Sequence, residues 1–145
     1  MNSTIIDQYK INQIVYITNN KIVYNNKTED TLDIKQDELL EYICLNELTS
    51  LRGRKDAIKK IYGYKNNPPL YLNRNTVLIK VEDIIKKSTV YINVIYINKI
   101  SQEGINCKIS FTNNSFLFLC IDEKYIKKQY EKAIKIIKNI NINFV

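Results

Sequence analysis

The fold class is decided by the stretch Ile105-Asn106-Cys107-Lys108-Ile109-Ser110-Phe111-Thr112-Asn113-Asn114-Ser115-Phe116-Leu117-Phe118-Leu119-Cys120 and the pattern that follows it. Ile105, Cys107, Ile109 and Phe111 recur at every second position, and so do Phe116, Phe118 and Cys120. A period of two is the signature of a strand with one buried face. Asn113-Asn114 lies between the two runs, and asparagine tolerates the positive φ of tight turns, so a hairpin is expected with strands near 105–111 and 115–121. Past it the period changes: Ile126, Tyr130, Ala133, Ile137 and Ile140 fall at spacings of 4, 3, 4 and 3. That seam predicts an amphipathic helix over 123–140, capped by Asp122. Its apolar face packs on the sheet or, alternatively, meets a twin in a dimer.

Working toward the N-terminus, β-prone segments near 70–72, 76–81 and 89–97 supply the rest of an antiparallel sheet. Asn66-Asn67-Pro68-Pro69 forces an extended or turning chain ahead of them. Residues 54–62 read as a short helix with Ala57, Ile58, Ile61 and Tyr62 on one face and Gly63 at its end. Residues 37–48 read as another, with Leu39, Leu40, Ile43 and Leu48 sharing a face and Asp37 and Glu38 at the positive end of the dipole. Residues 14–18 and 21–24 form a hairpin about Asn19-Asn20, and Thr31 to Lys35 adds a short strand. The expected class is α+β: an N-terminal β-hairpin, two short helices, and an antiparallel sheet with a C-terminal helix. A chain of 145 residues fits one domain, 1–145, large enough to bury a core without disulfides or metal.

Composition removes whole classes of chemistry. There is no histidine, so Ser-His and Cys-His nucleophile pairs and zinc-histidine sites are excluded. The three glycines, Gly53, Gly63 and Gly104, are too few for a Gly-rich phosphate loop. Three cysteines, Cys44, Cys107 and Cys120, show no C-x-x-C spacing, which predicts free thiols packed in apolar surroundings in a reducing cytoplasm. No apolar run has the length of a membrane span, and no basic-then-apolar export signal opens the chain. Two acidic pairs could be weighed as Mg²⁺ ligands for phosphodiester cleavage: Glu82 and Asp83 near Lys80, and Asp122 and Glu123 beside Lys124. Adjacent acids on a strand point to opposite faces and no third ligand is evident. The expectation is therefore no catalytic residue, no metal and no cofactor.

Charge placement says more than the net +7. Residues 1–51 carry four lysines against eight carboxylates, whereas residues 52–145 carry eighteen cations against seven. Such asymmetry points to a polyanion, nucleic acid before an anionic membrane. Ile, Asn, Lys and Tyr make up about half of the chain, and all have A/T-rich codons, so part of the lysine content is read as codon bias. The acidic stretch 29–47 offers a different reading, an interaction protein whose own carboxylates mask the basic segment or dock a basic partner. Eleven tyrosines leave RNA stacking as a further alternative.

The cations concentrate in Leu51-Arg52-Gly53-Arg54-Lys55-Asp56-Ala57-Ile58-Lys59-Lys60-Ile61-Tyr62-Gly63-Tyr64-Lys65. With 54–62 helical, Lys55 and Lys59 are neighbours one turn apart and repel. Lys60 is expected to lean on Asp56. Arg52, Arg54, Lys55 and Lys59 then form an unpaired cluster at a helix start, where the dipole adds positive potential and a phosphate would relieve it. Two of only three arginines flank Gly53, which is expected to let a loop approach its ligand; arginine suits the narrow minor groove of A/T-rich DNA.

Cys44, then eight residues, then Gly53-Arg54-Lys55, then twelve residues, then Pro68-Pro69 resembles the competence transcription factor (ComK) family. The likeness runs over about residues 9–138. Tyr91-Ile92-Asn93 stands where the family has an aromatic-Ile-Ser strand, Phe111-Thr112-Asn113-Asn114 resembles its Phe-Ser-Asn-Gly hairpin, and Gln129 and Ala133 fit its Gln-x-x-x-Ala helix. The sequence departs from the pattern at Tyr91, where the family has tryptophan, and at Ile79-Lys80-Val81, where it has Phe-Pro-Thr. The resemblance implies a DNA-binding activator of competence (DNA uptake) genes. It further implies binding to paired A/T-rich boxes mainly through the minor groove, as a homodimer or dimer of dimers, with control by a proteolytic adaptor. It places Arg54 and Lys55 in the shared motif. Arg52, Lys59 and Lys65 join the expected DNA-binding set from charge geometry.

Overall fold

The computed structural model describes residues 7–143. The first six, part of the stretch read as lacking an export signal, lie outside it, as do the last two. The chain runs α1 (Gln8–Ile11), β1 (Ile14–Ile17), β2 (Lys21–Tyr24), β3 (Glu29–Thr31), α2 (Gln36–Asn46), α3 (Leu51–Tyr62), β4 (Leu70–Asn73), β5 (Thr76–Asp83), β6 (Ser88–Asn93), β7 (Ile97–Glu103), β8 (Asn106–Phe111), β9 (Phe116–Leu119) and α4 (Glu123–Asn143). This is the expected α+β class. All the strand pairings are antiparallel.

The strands form two sheets. One is six-stranded in the order β3-β2-β1-β6-β5-β4, and the other is three-stranded in the order β7-β8-β9. The N-terminal hairpin therefore joins the later strands, with Tyr16 opposite Ile92 and Ile17 opposite Tyr91. Alternation splits the side chains of the large sheet between two cores. Leu70, Leu72, Leu78 and Tyr91 pack with Leu39, Leu40, Ile43, Cys44 and Leu51 of the α2–α3 layer. Val77, Ile79, Val81, Val90 and Ile92 pack on the other side with Cys107, Ile109, Phe111 and Leu119 of the small sheet and with Ile126 and Ala133 of α4. The C-terminal seam is thus core, built on Ile126, Gln129, Ala133 and Ile136, with Tyr130, Ile137 and Ile140 partly covered at its edge. No helix among the described residues is long and apolar enough to cross a membrane.

Several local expectations are corrected. The strand placed over 89–97 is broken: β6 ends at Asn93, a 3-10 turn covers Val94–Tyr96, and β7 begins the second sheet at Ile97. Asn93 makes the break. It is fully buried, its Nδ2 donates to the Ile14 and Asn75 carbonyls at 2.8 and 2.9 Å, and its Oδ1 accepts from Val77 N and Ile95 N at 3.1 and 3.2 Å. Such a side chain takes the backbone groups that a continuing strand would pair. The sequence pattern does not reveal β7, since its Asn98-Lys99, Gln102 and Glu103 are polar and exposed and erase the apolar alternation.

The short strand lies at 29–31 rather than 31–35. Leu48 is 97% exposed with φ +59, beyond the end of α2, and Cys44 takes its expected place in the core. In the last hairpin Cys107, Ile109 and Phe111 face inward as their alternation requires, but Cys107 and Ile109 register with Leu119 and Leu117, so Phe116 and Phe118 face outward and stack edge to face under Lys108. Ile105 sits exposed beside Gly104 rather than in β8. Asn114 takes the left-handed conformation expected of this turn, whereas the Asn19-Asn20 turn closes without positive φ, held by Thr18 Oγ1, which accepts from Asn20 N and Lys21 N. Cys44 and Cys107 are free and buried, and Cys120 is free and half-buried. Burial, with the Glu123 carboxylate adding to it, pushes the Cys107 thiol up to about 11, so it stays protonated.

Candidate nucleic-acid interface

The helix α3 begins three residues before its expected start because Ser50 is a good N-cap. Ser50 is extended, and its Oγ accepts from Gly53 N at 2.9 Å. Gly53 is therefore the third residue of a helix and not part of a loop. A Cβ built there would meet Ser50 Oγ at 3.0 Å, so its smallness serves the cap. Leu51 N is taken by the Glu41 carboxylate of α2 at 3.3 and 3.4 Å, and Arg54 N by the Ser50 carbonyl at 3.0 Å. The chain's own groups thus occupy much of the helix start expected to face a phosphate. The acidic segment does reach α3, but there it meets a backbone amide, and among the described residues its carboxylates pair with Lys10 and Lys21 and with no lysine of α3. The helix ends on Gly63 at φ +72, whose N–H donates to the Lys59 carbonyl at 2.9 Å.

The buried stripe of α3 is not the one expected. Leu51 and Ile58 are buried, Arg54, Lys55 and Tyr62 are half-buried, and Ala57 and Ile61 are exposed. Arg54 and Lys55 therefore lie on the packed side. The five cations of the expected site separate accordingly. Arg54 Nη1 donates to the Tyr71 carbonyl of β4 at 2.9 Å, so its guanidinium holds the helix to the sheet. Arg52 is exposed, and its Nε lies 3.8 Å from Asp56 Oδ2, the partner expected for Lys60; with side chains 93% and 64% exposed, water leaves that pair little strength. Lys65 is exposed beyond Gly63, past the end of α3, and does not line the cleft that the other lysines share. Lys55 and Lys59 remain together, one turn apart.

These two lysines line a cleft of about 100 Å³ between α3 and the large sheet, with Asn67, Pro68, Leu70, Leu78, Lys80 and Tyr91. In sequence Lys80 stands near Glu82 and Asp83; the pleat puts it opposite Tyr91 on the helix-facing side of β5. A lone half-buried cation in an otherwise buried strand run, Thr76 to Val81, is the signal that could have found it. Among the described residues Lys55, Lys59 and Lys80 have no ion pair. Like charges one helical turn apart cost about 0.2–0.5 kcal/mol. The cleft wall is fixed: Tyr91 is 3% exposed and its hydroxyl donates to Asp37 Oδ1 at 3.1 Å. Burial, then the charge and hydrogen bond of Asp37, push the Tyr91 phenol up, so it is a neutral donor. Gln129 of α4, 3% exposed, donates from Nε2 to the Asn67 carbonyl at 2.8 Å and anchors the segment that carries Asn67 and Pro68.

The acidic pairs do other work. Asp83 accepts from Ile85 N, Lys86 N and Cys120 N at 3.0, 2.8 and 3.0 Å. Burial raises its pKa, but those three N–H groups and the Lys86 charge outweigh it and hold the carboxyl below its ordinary value. Glu82 is exposed on the other side of the strand. Asp122 accepts from Lys124 N, and Glu123 pairs with Lys127. Among the described residues no group of three acids or thiols could hold a metal ion. The helix-facing side gathers Lys55, Lys59 and Lys80 around one cleft, with no acid among the described residues that line it.

A family profile described as ComK protein matches residues 4–143, nearly the whole chain. No curated protein and no solved structure matches it.

Proposed function

The chain belongs to the ComK family, and from that premise we propose that it is a DNA-binding transcriptional activator of competence genes. The family is one of transcription factors and not of enzymes. The target is A/T-rich double-stranded DNA, approached mainly through the minor groove by a cytoplasmic protein acting as a homodimer or dimer of dimers. In this reading residues 1–145 work as one DNA-binding domain. Lys55 and Lys59 contact backbone phosphates, exposed Arg52 enters the groove, and Lys65 adds a peripheral contact. Arg54 is a positioning residue that keeps α3 on the sheet.

The observation that carries the reading is the pair Lys55 and Lys59, adjacent on one helix and without carboxylate partners among the described residues. Phosphates supply the missing charge, and they do so with release of counterions. A fluorescence anisotropy titration on A/T-rich and G/C-rich duplexes at two salt concentrations tests it. Tighter binding to the A/T-rich duplex, weakening steeply with salt, supports it. Equal or absent binding to both overturns it, and a stoichiometric protein partner copurifying without DNA binding then favours the interaction reading.

A further inference from the structure

We infer that the cleft between Lys55, Lys59 and Lys80 is a seat for a single phosphate group. The inference deepens the proposed reading of the basic face and adds a strand residue to it. Lys55 and Lys59 come from α3 and Lys80 from β5, so two independent elements bring three ammonium-bearing side chains to one cleft. Among the described residues no carboxylate lines it and none of the three lysines has an ion pair.

Size selects the occupant. A volume of about 100 Å³ holds a few waters or one tetrahedral oxyanion. It is well below the roughly 300 Å³ at which ligand pockets begin, so a whole nucleotide does not fit inside. Its apolar lining, Pro68, Leu70 and Leu78, is buried and lowers the local dielectric, which strengthens any charge pair formed there. The lysine stems can lie on that lining while their heads meet the anion. The wall is preorganised, since Asp37 fixes Tyr91 and Gln129 fixes the Asn67 segment before any ligand arrives. The phosphate can belong to a DNA backbone or to a free ion, and the two sources give different results.

Three proteins are compared: the full chain, Lys80→Gln and Lys80→Arg. Each is titrated with inorganic phosphate by NMR, following the Tyr91 and Leu78 signals, and with an A/T-rich duplex at several salt concentrations. The expected result is a saturable phosphate shift that Lys80→Gln abolishes. Duplex affinity is expected to fall about five- to tenfold in that variant, with the log K against log salt slope smaller by about 0.9. Lys80→Arg restores both, and all three proteins unfold at the same temperature. A phosphate shift lost in Lys80→Gln from a chain that binds no duplex keeps the seat, identifies a free ion as its source and removes the DNA reading. A phosphate shift that is absent at Tyr91 and Leu78, or that survives Lys80→Gln, overturns the seat, and the DNA reading then stands if the full chain binds the duplex and falls if it does not. A shift lost in Lys80→Gln beside duplex binding that ignores the variant keeps the seat for a free ion.

Discussion

The Arg54 guanidinium and the Tyr71 carbonyl are joined by a 2.9 Å hydrogen bond that ties α3 to β4. One residue of the Gly53-Arg54-Lys55 motif is therefore committed to the fold while its neighbour Lys55 lines the open cleft. Arg54→Ala is expected to lower stability by about 1–3 kcal/mol, because a charged hydrogen bond is lost from a half-buried position. Urea unfolding measures it. Arg54→Lys should not restore the loss, since an ammonium lacks the planar fork. Unchanged unfolding with a smaller salt slope for DNA binding would instead make Arg54 a phosphate contact.

The double variant Lys55→Gln, Lys59→Gln separates binding from folding. Its salt slope on an A/T-rich duplex should fall by about 1.8, two contacts at about 0.9 each. Its melting temperature should stay level or rise slightly, because the repulsion between the two lysines is gone. A large drop in melting temperature would assign these lysines to the fold.

Asn93 satisfies four backbone groups at the junction between the two sheets. Asn93→Leu leaves them buried and unpaired, each at a cost of about 1–3 kcal/mol when unrelieved. A net loss of about 3–5 kcal/mol in urea unfolding is expected, enough to threaten folding of a domain whose total stability is about 5–15 kcal/mol. A loss below 1 kcal/mol would mean that water replaces the side chain.

Two carboxylates are expected to make the protein less stable in acid. Asp30 is held below its ordinary value by the Tyr24 hydroxyl against the opposing effect of burial, with Lys10 helping. In Asp83 burial is outweighed by backbone N–H groups. Groups with lowered folded values contribute stability fully above the unfolded value of about 3.9, and lose it as pH falls through the folded one. Urea midpoints should therefore be flat above about pH 5 and fall below about pH 4. Asp83→Asn should flatten part of that fall. An unaltered acid limb in this variant would remove Asp83 from the account.

Element type was legible wherever the chain carried its own periodicity. The α4 seam through Ile126 and Ala133, the alternation Cys107-Ile109-Phe111 and the Gly63 stop each rest on residues within a few positions of one another. Local backbone geometry alone decides such patterns, and so the class α+β and the basic character of 52–65 could be read directly. The family resemblance was legible for a related reason in part, because several of its spaced residues, Cys44, Tyr91, Gln129 and Ala133, are buried positions that packing constrains, while Gly53-Arg54-Lys55 lies at the surface of α3.

Contacts between distant residues were decided only by the tertiary structure. Asn93 breaks a β-prone run because Ile14, nearly eighty positions earlier, offers it a carbonyl. Asp56 turned to Arg52 rather than Lys60, and Arg54 to a carbonyl of β4. Lys80 meets Lys55 and Lys59 because the pleat of β5 aims it at α3. Charge in a sequence states how much positive potential exists. Where it gathers, and which cations remain free to meet a ligand, depends on how sheets and helices close on each other, since hydrogen bonds and ion pairs act over distances that chain position does not encode.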